Sequence, residues 1–367
     1  MPLIEFTING RTAQAEEGST ILEAATAAGI KIPTMCHHPA LPDIGACRIC
    51  LVEVGIPQTK ANADGTTETT YAVSLQPACT YPVANDIRVE THTPDALAVR
   101  RFVVELLLSD HPLDCLTCDA TGNCTLQDLA YELGVKESPY AGEKHHYSVD
   151  DPNPFFERDY NKCIVCQACV RACNYINGVE AISMLNRGFR TKPGTAKDGY
   201  LEDSPCEFCG MCVEVCPTAA LYPKMSKGQG RPWEIDKVTT TCSYCGVGCQ
   251  FDLGIKDRRI IQVTSNWDTP ASRGWTCVKG RFGFDFVQHP DRLTSPLIKK
   301  DGRFVEATWD EALTLVADKL ADTKGQYGGD AIGVLSSAKC TNEENYLLQK
   351  LGRQLLGTHN IDHCARL

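Results

Sequence analysis

At 367 residues, with 43% hydrophobic and 22% charged residues, the chain has the composition of a globular protein of roughly two to four domains. A net charge of −10 leaves no basic footprint for nucleic acid, and the longest apolar runs, such as FVVELLL, are too short to span a bilayer. MPLIEFTING lacks the basic and apolar regions of a secretory signal and no twin-arginine signal is present, so the expected compartment is the cytoplasm. The outlier is cysteine. There are 21, and they cluster, which in a reducing compartment reads as metal ligation rather than disulfide pairing.

Residues 3–35 predict a compact α+β start of β-grasp type. LIEFTI and RTAQA flank Asn9-Gly10, a strong hairpin signal. GSTILEAATAAG then reads as a helix opened by a Thr20/Glu23 capping box and closed by Gly29. Next come Cys36, Cys47, Cys50 and Cys79, spaced by ten, two and 28 residues. Four thiolates can hold two irons, with Gly45 and Ala46 letting the loop wrap closely. Plant-type ferredoxins use a related but shorter spacing, and a zinc site is the competing reading. ANADGTTETT inside the last gap predicts a solvated hairpin between strands ICLVEV and TYAVSL.

TPDALAVRRFVVELLLSDHP predicts a helix with Thr93 as N-cap and Pro94 at its first position. It delivers His111, followed by Cys115, Cys118 and Cys124. Imidazole can replace one thiolate at iron, removing negative charge and raising the potential, so these four residues predict a His/Cys3 [4Fe-4S] site. SPYAGEKHHYSVDDPNPFFERD reads as a connecting loop, with His145 and His146 solvated.

An internal repeat follows. Cys163, Cys166, Cys169 and Cys173 have the spacing C-x2-C-x2-C-x3-C, repeated by Cys206, Cys209, Cys212 and Cys216. In this two-cluster bacterial ferredoxin pattern the fourth cysteine of each run binds the other cluster. One [4Fe-4S] centre therefore takes Cys163, Cys166, Cys169 and Cys216, and the other takes Cys206, Cys209, Cys212 and Cys173. Pro217 follows the second run as the pattern asks, whereas Asn174 follows the first. YPKMSKGQGRPWEIDK reads as a linker. Beyond it, Cys242, Cys245, Cys249 and Cys277 supply four more thiolates, with Gly246 and Gly248 making room for a cubane. Cys340 and Cys364 are left over.

From Arg281 the pattern turns to alternating α and β. DGRFVEAT predicts a hairpin arm and TWDEALTLVADKL a helix with a Thr308/Glu311 box. AIGVLSS follows as a buried strand, then TNEENYLLQKLGRQLLG as a helix capped by Thr341/Glu344 and closed by Gly357. Strand–helix–strand is how a doubly wound domain begins.

Residues 1–217 resemble the cluster-bearing front end shared by the large peripheral subunit of respiratory complex I, iron-only hydrogenases and cytoplasmic formate dehydrogenases. The tandem insert at 163–217 argues against the complex I subunit, and the missing active-site cluster motifs argue against a hydrogenase. CSYCGVGC and GWTCVKGRFGFD resemble the cubane domain of molybdopterin oxidoreductases, and SSAKCTNEENYLLQKL and NIDHCARL resemble their formate dehydrogenase branch. The resemblance implies a multidomain α+β and α/β chain: a [2Fe-2S] β-grasp domain (1–80), a His/Cys3 [4Fe-4S] domain (81–137) and a two-cluster ferredoxin domain (138–222). A molybdopterin oxidoreductase [4Fe-4S] domain (236–292) and the beginning of a molybdopterin-binding α/β domain (293–367) complete it.

It further implies one [2Fe-2S] and four [4Fe-4S] clusters serving a molybdenum or tungsten bis-molybdopterin guanine dinucleotide that interconverts formate and carbon dioxide. Lys279 would lie on the electron route between cubane and pterin. Cys340 and Cys364 would be small packed thiols. Flavin/NAD-binding and small iron–sulfur subunits, with ferredoxin as a second acceptor, are the implied partners. In that family CARL precedes the selenocysteine or cysteine bound to the metal, so the expectation is a metal ligand directly after Leu367, encoded by a UGA codon read as a stop. The 367 residues alone are then expected to bind iron but not to oxidise formate. The rival reading is a stand-alone electron-transfer subunit.

Overall fold

The computed structural model describes residues 2–61, 67–149 and 152–363. They divide into two units, Met1–Asp236 and Lys237–Leu367. The first opens with β1 (Leu3–Ile8) and β2 (Arg11–Glu16), paired antiparallel in the register Leu3↔Glu16 to Ile8↔Arg11. Asn9 and Gly10 turn the hairpin with φ of 47° and 72°, the doubly left-handed geometry that an Asn-Gly pair adopts at little cost. Helix α1 (Ile21–Ala27) carries the expected capping box, Glu23 N–H donating to Thr20 Oγ1 and Thr20 N–H to Glu23 Oε2. Strands β3 (Leu51–Ala61) and β4 (Thr67–Pro77) form the long hairpin the sequence predicts, and its turn lies outside the described residues. Strand β5 (Arg88–Glu90) runs parallel to β1 and antiparallel to β3, closing a five-stranded sheet of order β2-β1-β5-β3-β4. One face packs Ile4, Phe6, Ile8, Val52, Val54 and Val89 against Ile21 and Leu22 of α1. Full burial of each such side chain stabilises by about 1.5–3 kcal/mol.

Helix α2 (Pro94–Asp110), N-capped by Thr93, and α3 (Thr125–Glu132), which the sequence reading missed, pack Val104, Leu108, Leu126 and Leu129 against Met35 and Ile49 of the first cysteine loop. Arg100, 1% exposed, ties α2 to the sheet through Nη2 donating to Leu51 C=O at 2.7 Å. Strand β6 (Phe156–Arg158) leads to α4 (Ala168–Arg171), continued by a π-helical turn, Ala172–Asn177. A small hairpin of β7 (Ser183–Leu185) and β8 (Lys192–Gly194) stands between the two cysteine runs. After α5 (Met211–Glu214), β9 (Leu221–Pro223) returns to pair with β6. The two runs are thus closed into one subdomain by their flanking strands.

One expectation fails here. His145 is not solvated: its ring stacks on Phe189 (centroids 3.9 Å apart) and Tyr147 (5.1 Å), and Nδ1 bonds Asp110 Oδ2 at 2.5 Å. The stacking partner Phe189 comes from the loop joining β7 and β8, more than forty residues away in sequence, which a local reading cannot see.

The second unit begins with the sheet β10 (Asp236–Thr241), β11 (Gln250–Lys256) and β12 (Arg259–Ser265), followed by the short helix α6 (Val278–Phe282). The hairpin of β13 (Leu297–Lys300) and β14 (Arg303–Glu306) precedes α7 (Trp309–Tyr327), which runs seven residues beyond the predicted TWDEALTLVADKL before Gly328 ends it. Strand β15 (Val334–Ser336), α8 (Asn342–Lys350) with a π-helical turn to Leu356, and β16 (Ile361–His363) complete a strand–helix–strand unit whose strands pair parallel. The predicted capping boxes at Thr308/Glu311 and Thr341/Glu344 both form. Leu335 of the predicted buried strand is 85% exposed, and neither α7 nor α8 has a buried residue. Cys364 and the residues of CARL lie outside the described residues. No helix among the described residues is long and apolar enough to cross a membrane.

Candidate metal centres

The described cysteines are all free thiols. Among the described residues no three Cys, His, Asp or Glu side chains close in on a single ion. A cluster asks for something different, because its thiolates bind separate irons bridged by sulfide and stand further apart than the ligands of one ion.

Cys36, Cys50 and Cys79 are each no more than 2% exposed, and they meet Cys47 at one end of the five-stranded sheet. Two thiol pairs hydrogen-bond, Cys36 with Cys47 and Cys50 with Cys79. The bond with Cys47 lowers the Cys36 thiol to about 6, and that with Cys79 lowers Cys50. The same bonds push Cys47 and Cys79 up. In each pair one thiol is eased towards the thiolate that a metal requires. The loop between the ligands is curled by Gly45 (φ 59°) and Arg48 (φ 62°), and a Cβ at Gly45 would sit 3.3 Å from Thr80 Oγ1. The four residues fit a cluster.

His111 ends α2 as its C-cap residue, and Cys124 immediately precedes α3. His111, Cys115 and Cys124 line one cavity with Leu108, Leu113, Leu126 and Ala130. Burial holds the His111 imidazole below its ordinary pKa, and its Nδ1 is buried with no hydrogen-bond partner. A neutral imidazole with an unsatisfied nitrogen fits the role of a metal ligand. Cys118 does not line that cavity. Its carbonyl accepts from Arg231 Nη1, and Lys162 Nζ stands 3.6 Å from Asp114 nearby.

The tandem run shows the clearest assembly. Cys163, Cys166, Cys169 and Cys216 line one cavity, together with Cys212. Cys173, Cys206, Cys209 and Cys212 line a second. The two cavities share Cys212 as a common wall. Both halves use the same local geometry. Val165 and Phe208 adopt φ of 55° and 53°, which turns their N–H groups onto Cys163 Sγ and Cys206 Sγ, each at 3.4 Å. Gln167 and Gly210 then begin their short helices from left-handed backbone, φ 62° and 74°. N–H donors aimed at sulfur favour thiolate, whereas burial first, and then repulsion among neighbouring cysteines, pushes Cys163 and Cys166 up to about 12 and Cys169 and Cys212 well up. Buried thiols gathered around a cavity, with an N–H aimed at the first sulfur of each run, fit a bound metal cluster.

In the second unit Cys242 N–H donates to Cys249 C=O at 2.8 Å, closing the first loop on itself. Cys277 precedes α6, and a Cβ at Gly280 would lie 3.5 Å from Cys242 Sγ. Burial raises the Cys242 and Cys249 thiols. Lys279 lies on α6 with its side chain exposed, and Cys340 is half-buried just before α8. Gly274 is one point where the loop to Cys277 depends on glycine: its φ is +83°, and a Cβ would overlap the Trp267 ring. Gly274→Ala is therefore expected to cost this unit about four iron per chain while the first unit keeps its own. Iron content of wild type and variant checks it, and unchanged iron would contradict it.

Arg100, Lys162, Arg171 and Arg231 escaped the sequence reading. Only Arg171 carried a signal, a charge set inside the run Cys169-Val170-Arg171-Ala172-Cys173.

Comparison with known proteins matches five segments of the chain. Residues 2–94 match a 2Fe-2S iron-sulfur cluster binding domain, and 100–139 the NADH-ubiquinone oxidoreductase-G iron-sulfur binding region. Residues 162–220 match a 4Fe-4S dicluster domain, 235–289 the molybdopterin oxidoreductase Fe4S4 domain, and 292–367 molybdopterin oxidoreductase. NADPH-Fe(3+) oxidoreductase subunit alpha of Geobacter sulfurreducens is 37% identical over 366 residues, covering 100% of this chain and 40% of that protein. An NADH-quinone oxidoreductase subunit of Rhizobium meliloti is also 37% identical, over 99% of this chain and 40% of its own length. A Staphylococcus haemolyticus protein named "Putative formate dehydrogenase SH0748" is 32% identical over 98% of this chain and 39% of its own. The chain spans about two-fifths of the length of these relatives. A chain of an NAD+-reducing [NiFe]-hydrogenase in its H2-reduced state superposes with a TM-score of 0.53 at 29% identity, covering 62% of this chain and 90% of that one. The Rhizobium relative aligns along nearly the whole chain, so the 163–217 segment does not by itself separate this chain from proteins of that name.

Proposed function

We propose that this chain, the iron–sulfur electron-transfer region of a molybdopterin oxidoreductase family member, serves formate oxidation and passes the electrons singly to a nucleotide-linked partner. The observation that supports the relay is the pair of adjacent cavities, one lined by five cysteines and the other by four, each drawing on both runs and the two sharing Cys212. In this reading Cys242, Cys245, Cys249 and Cys277 hold the entry cubane, and Lys279 stands on its route from the pterin. The tandem centres follow, then the His111/Cys115/Cys118/Cys124 cubane and the Cys36/Cys47/Cys50/Cys79 [2Fe-2S] centre. The clusters supply one-electron redox chemistry. The residues of this chain orient them, exclude water and set their charge.

Formate rests on the SSAKCTNEENYLLQKL and NIDHC segments and on the Staphylococcus relative. The 37% identical relatives favour a second reading, a nicotinamide-linked oxidoreductase subunit with no formate chemistry. The two separate in the native assembly, isolated through a tag on this chain. Under the first reading formate reduces viologen dye and the preparation carries molybdenum or tungsten. Under the second, NADH or NADPH reduces the clusters and formate does not. If neither bleaches the iron–sulfur absorbance, both readings fall.

A further inference from the structure

Arg171 is a charge in an unusual place. It is 4% exposed, at the end of α4 and between two cysteines of the first tandem run. Its guanidinium reaches out of that run altogether. Nη1 donates to Pro42 C=O at 2.7 Å, and Nη2 donates to Cys36 C=O and, at 3.4 Å, to Cys166 C=O. Nε is buried with no partner, and among the described residues no carboxylate pairs with the side chain. One cation thus grips the backbone of Cys36, from the first cysteine set, and of Cys166, from the tandem set, 130 residues apart in sequence.

Burying a guanidinium against carbonyls alone is costly, because neutral dipoles replace only part of its hydration. Such a charge persists where a nearby anion compensates it. Asp43, next to Pro42, is taken up by His37 at 2.8 Å, and the further anions this region can supply are the thiolate-ligated clusters, each carrying net negative charge. Arginine suits the position better than lysine, since its planar fork satisfies acceptors in two directions and stays charged.

We propose that Arg171 is a positioning residue shared by two iron–sulfur centres, the common counter-ion of the Cys36/Cys47/Cys50/Cys79 centre and the Cys163/Cys166/Cys169/Cys216 centre. Its charge stabilises the reduced, more negative state of both, and its fork holds their loops side by side for transfer. The inference rests on the ligand sets proposed above. No proton or bond moves in this role, so the expected signature is a potential, not a pH dependence.

The test is an EPR-monitored redox titration of the intact native protein and of Arg171→Gln and Arg171→Lys. In Arg171→Gln the reduced-to-oxidised ratio of the [2Fe-2S] signal, read at the wild-type midpoint, is expected to fall about tenfold, equal to about 59 mV for a one-electron couple. Arg171→Lys, which keeps the charge, should stay close to wild type. An iron-replete Arg171→Gln with the wild-type ratio overturns the proposal, and so does an Arg171→Lys as shifted as Arg171→Gln. Should the variants lose iron, the wild type decides. Reducing the neighbouring cubane is expected to speed relaxation of the [2Fe-2S] signal, and no change would overturn the shared position. A wild type without a [2Fe-2S] signal would instead refute the ligand sets, a different failure.

Discussion

Cys216→Ala is expected to remove the same cluster as Cys166→Ala, and not the one lost with Cys209→Ala. By sequence Cys216 belongs with Cys206, Cys209 and Cys212, four residues from its nearest neighbour in that run. In the fold it lines the cavity of Cys163, Cys166 and Cys169 instead, while Cys173 crosses the other way. The exchange follows from the short helices. Each run curls its first three cysteines around one cavity through a left-handed turn, and the helix then carries the fourth past it to the neighbouring site. Each variant should lose about four iron per chain. The EPR spectrum of Cys216→Ala should match that of Cys166→Ala, and the spectrum of Cys173→Ala that of Cys209→Ala. Matching by sequence run instead of by cavity would show that the ligand sets are uncrossed. The effect is large because a cubane short of one thiolate exposes an iron inside a site built to exclude water.

What was legible in the sequence is what short-range chemistry dictates. The Asn9-Gly10 turn, the boxes at Thr20, Thr308 and Thr341, and the helix entering at Thr93 are each decided by residues within a few positions, and all form where expected. The spacings of the tandem cysteines are set over similarly short distances, and in the fold those eight residues gather around two adjacent cavities. The features that escaped are tertiary. Arg171 meets its acceptors across more than a hundred residues, Arg100 meets Leu51 across 49, and His145 meets Phe189 only because a hairpin stands between the two runs. Helix α3 was missed because its eight residues carry no side-chain cap at Cys124, which lines the cavity of His111 and Cys115 instead. A cysteine at the N-cap gives none of the capping signals by which helices are found.

His111→Cys is expected to leave the iron content of the chain unchanged and to lower the potential of the cluster it joins. The imidazole sits at the C-terminus of α2 by virtue of the helix length, and burial keeps it neutral with Nδ1 unpartnered. A cysteine there can still reach the cavity, and it replaces a neutral ligand by an anionic one. The added negative charge opposes reduction, so the midpoint must move down. A tenfold change in the reduced-to-oxidised ratio at fixed potential, about 59 mV, is the scale expected for one full charge near iron in a partly desolvated site. His111→Ala supplies no ligand and should instead lose about four iron per chain. The two variants together distinguish a ligand from a bystander. If His111 only packs at the helix end, alanine would leave the iron in place and cysteine would leave the potential where it was. The direction also bears on electron flow. A neutral ligand makes this centre a better acceptor than an all-thiolate cubane in the same surroundings, so the exchange for cysteine should slow electron arrival at it while leaving the tandem centres at their own potentials.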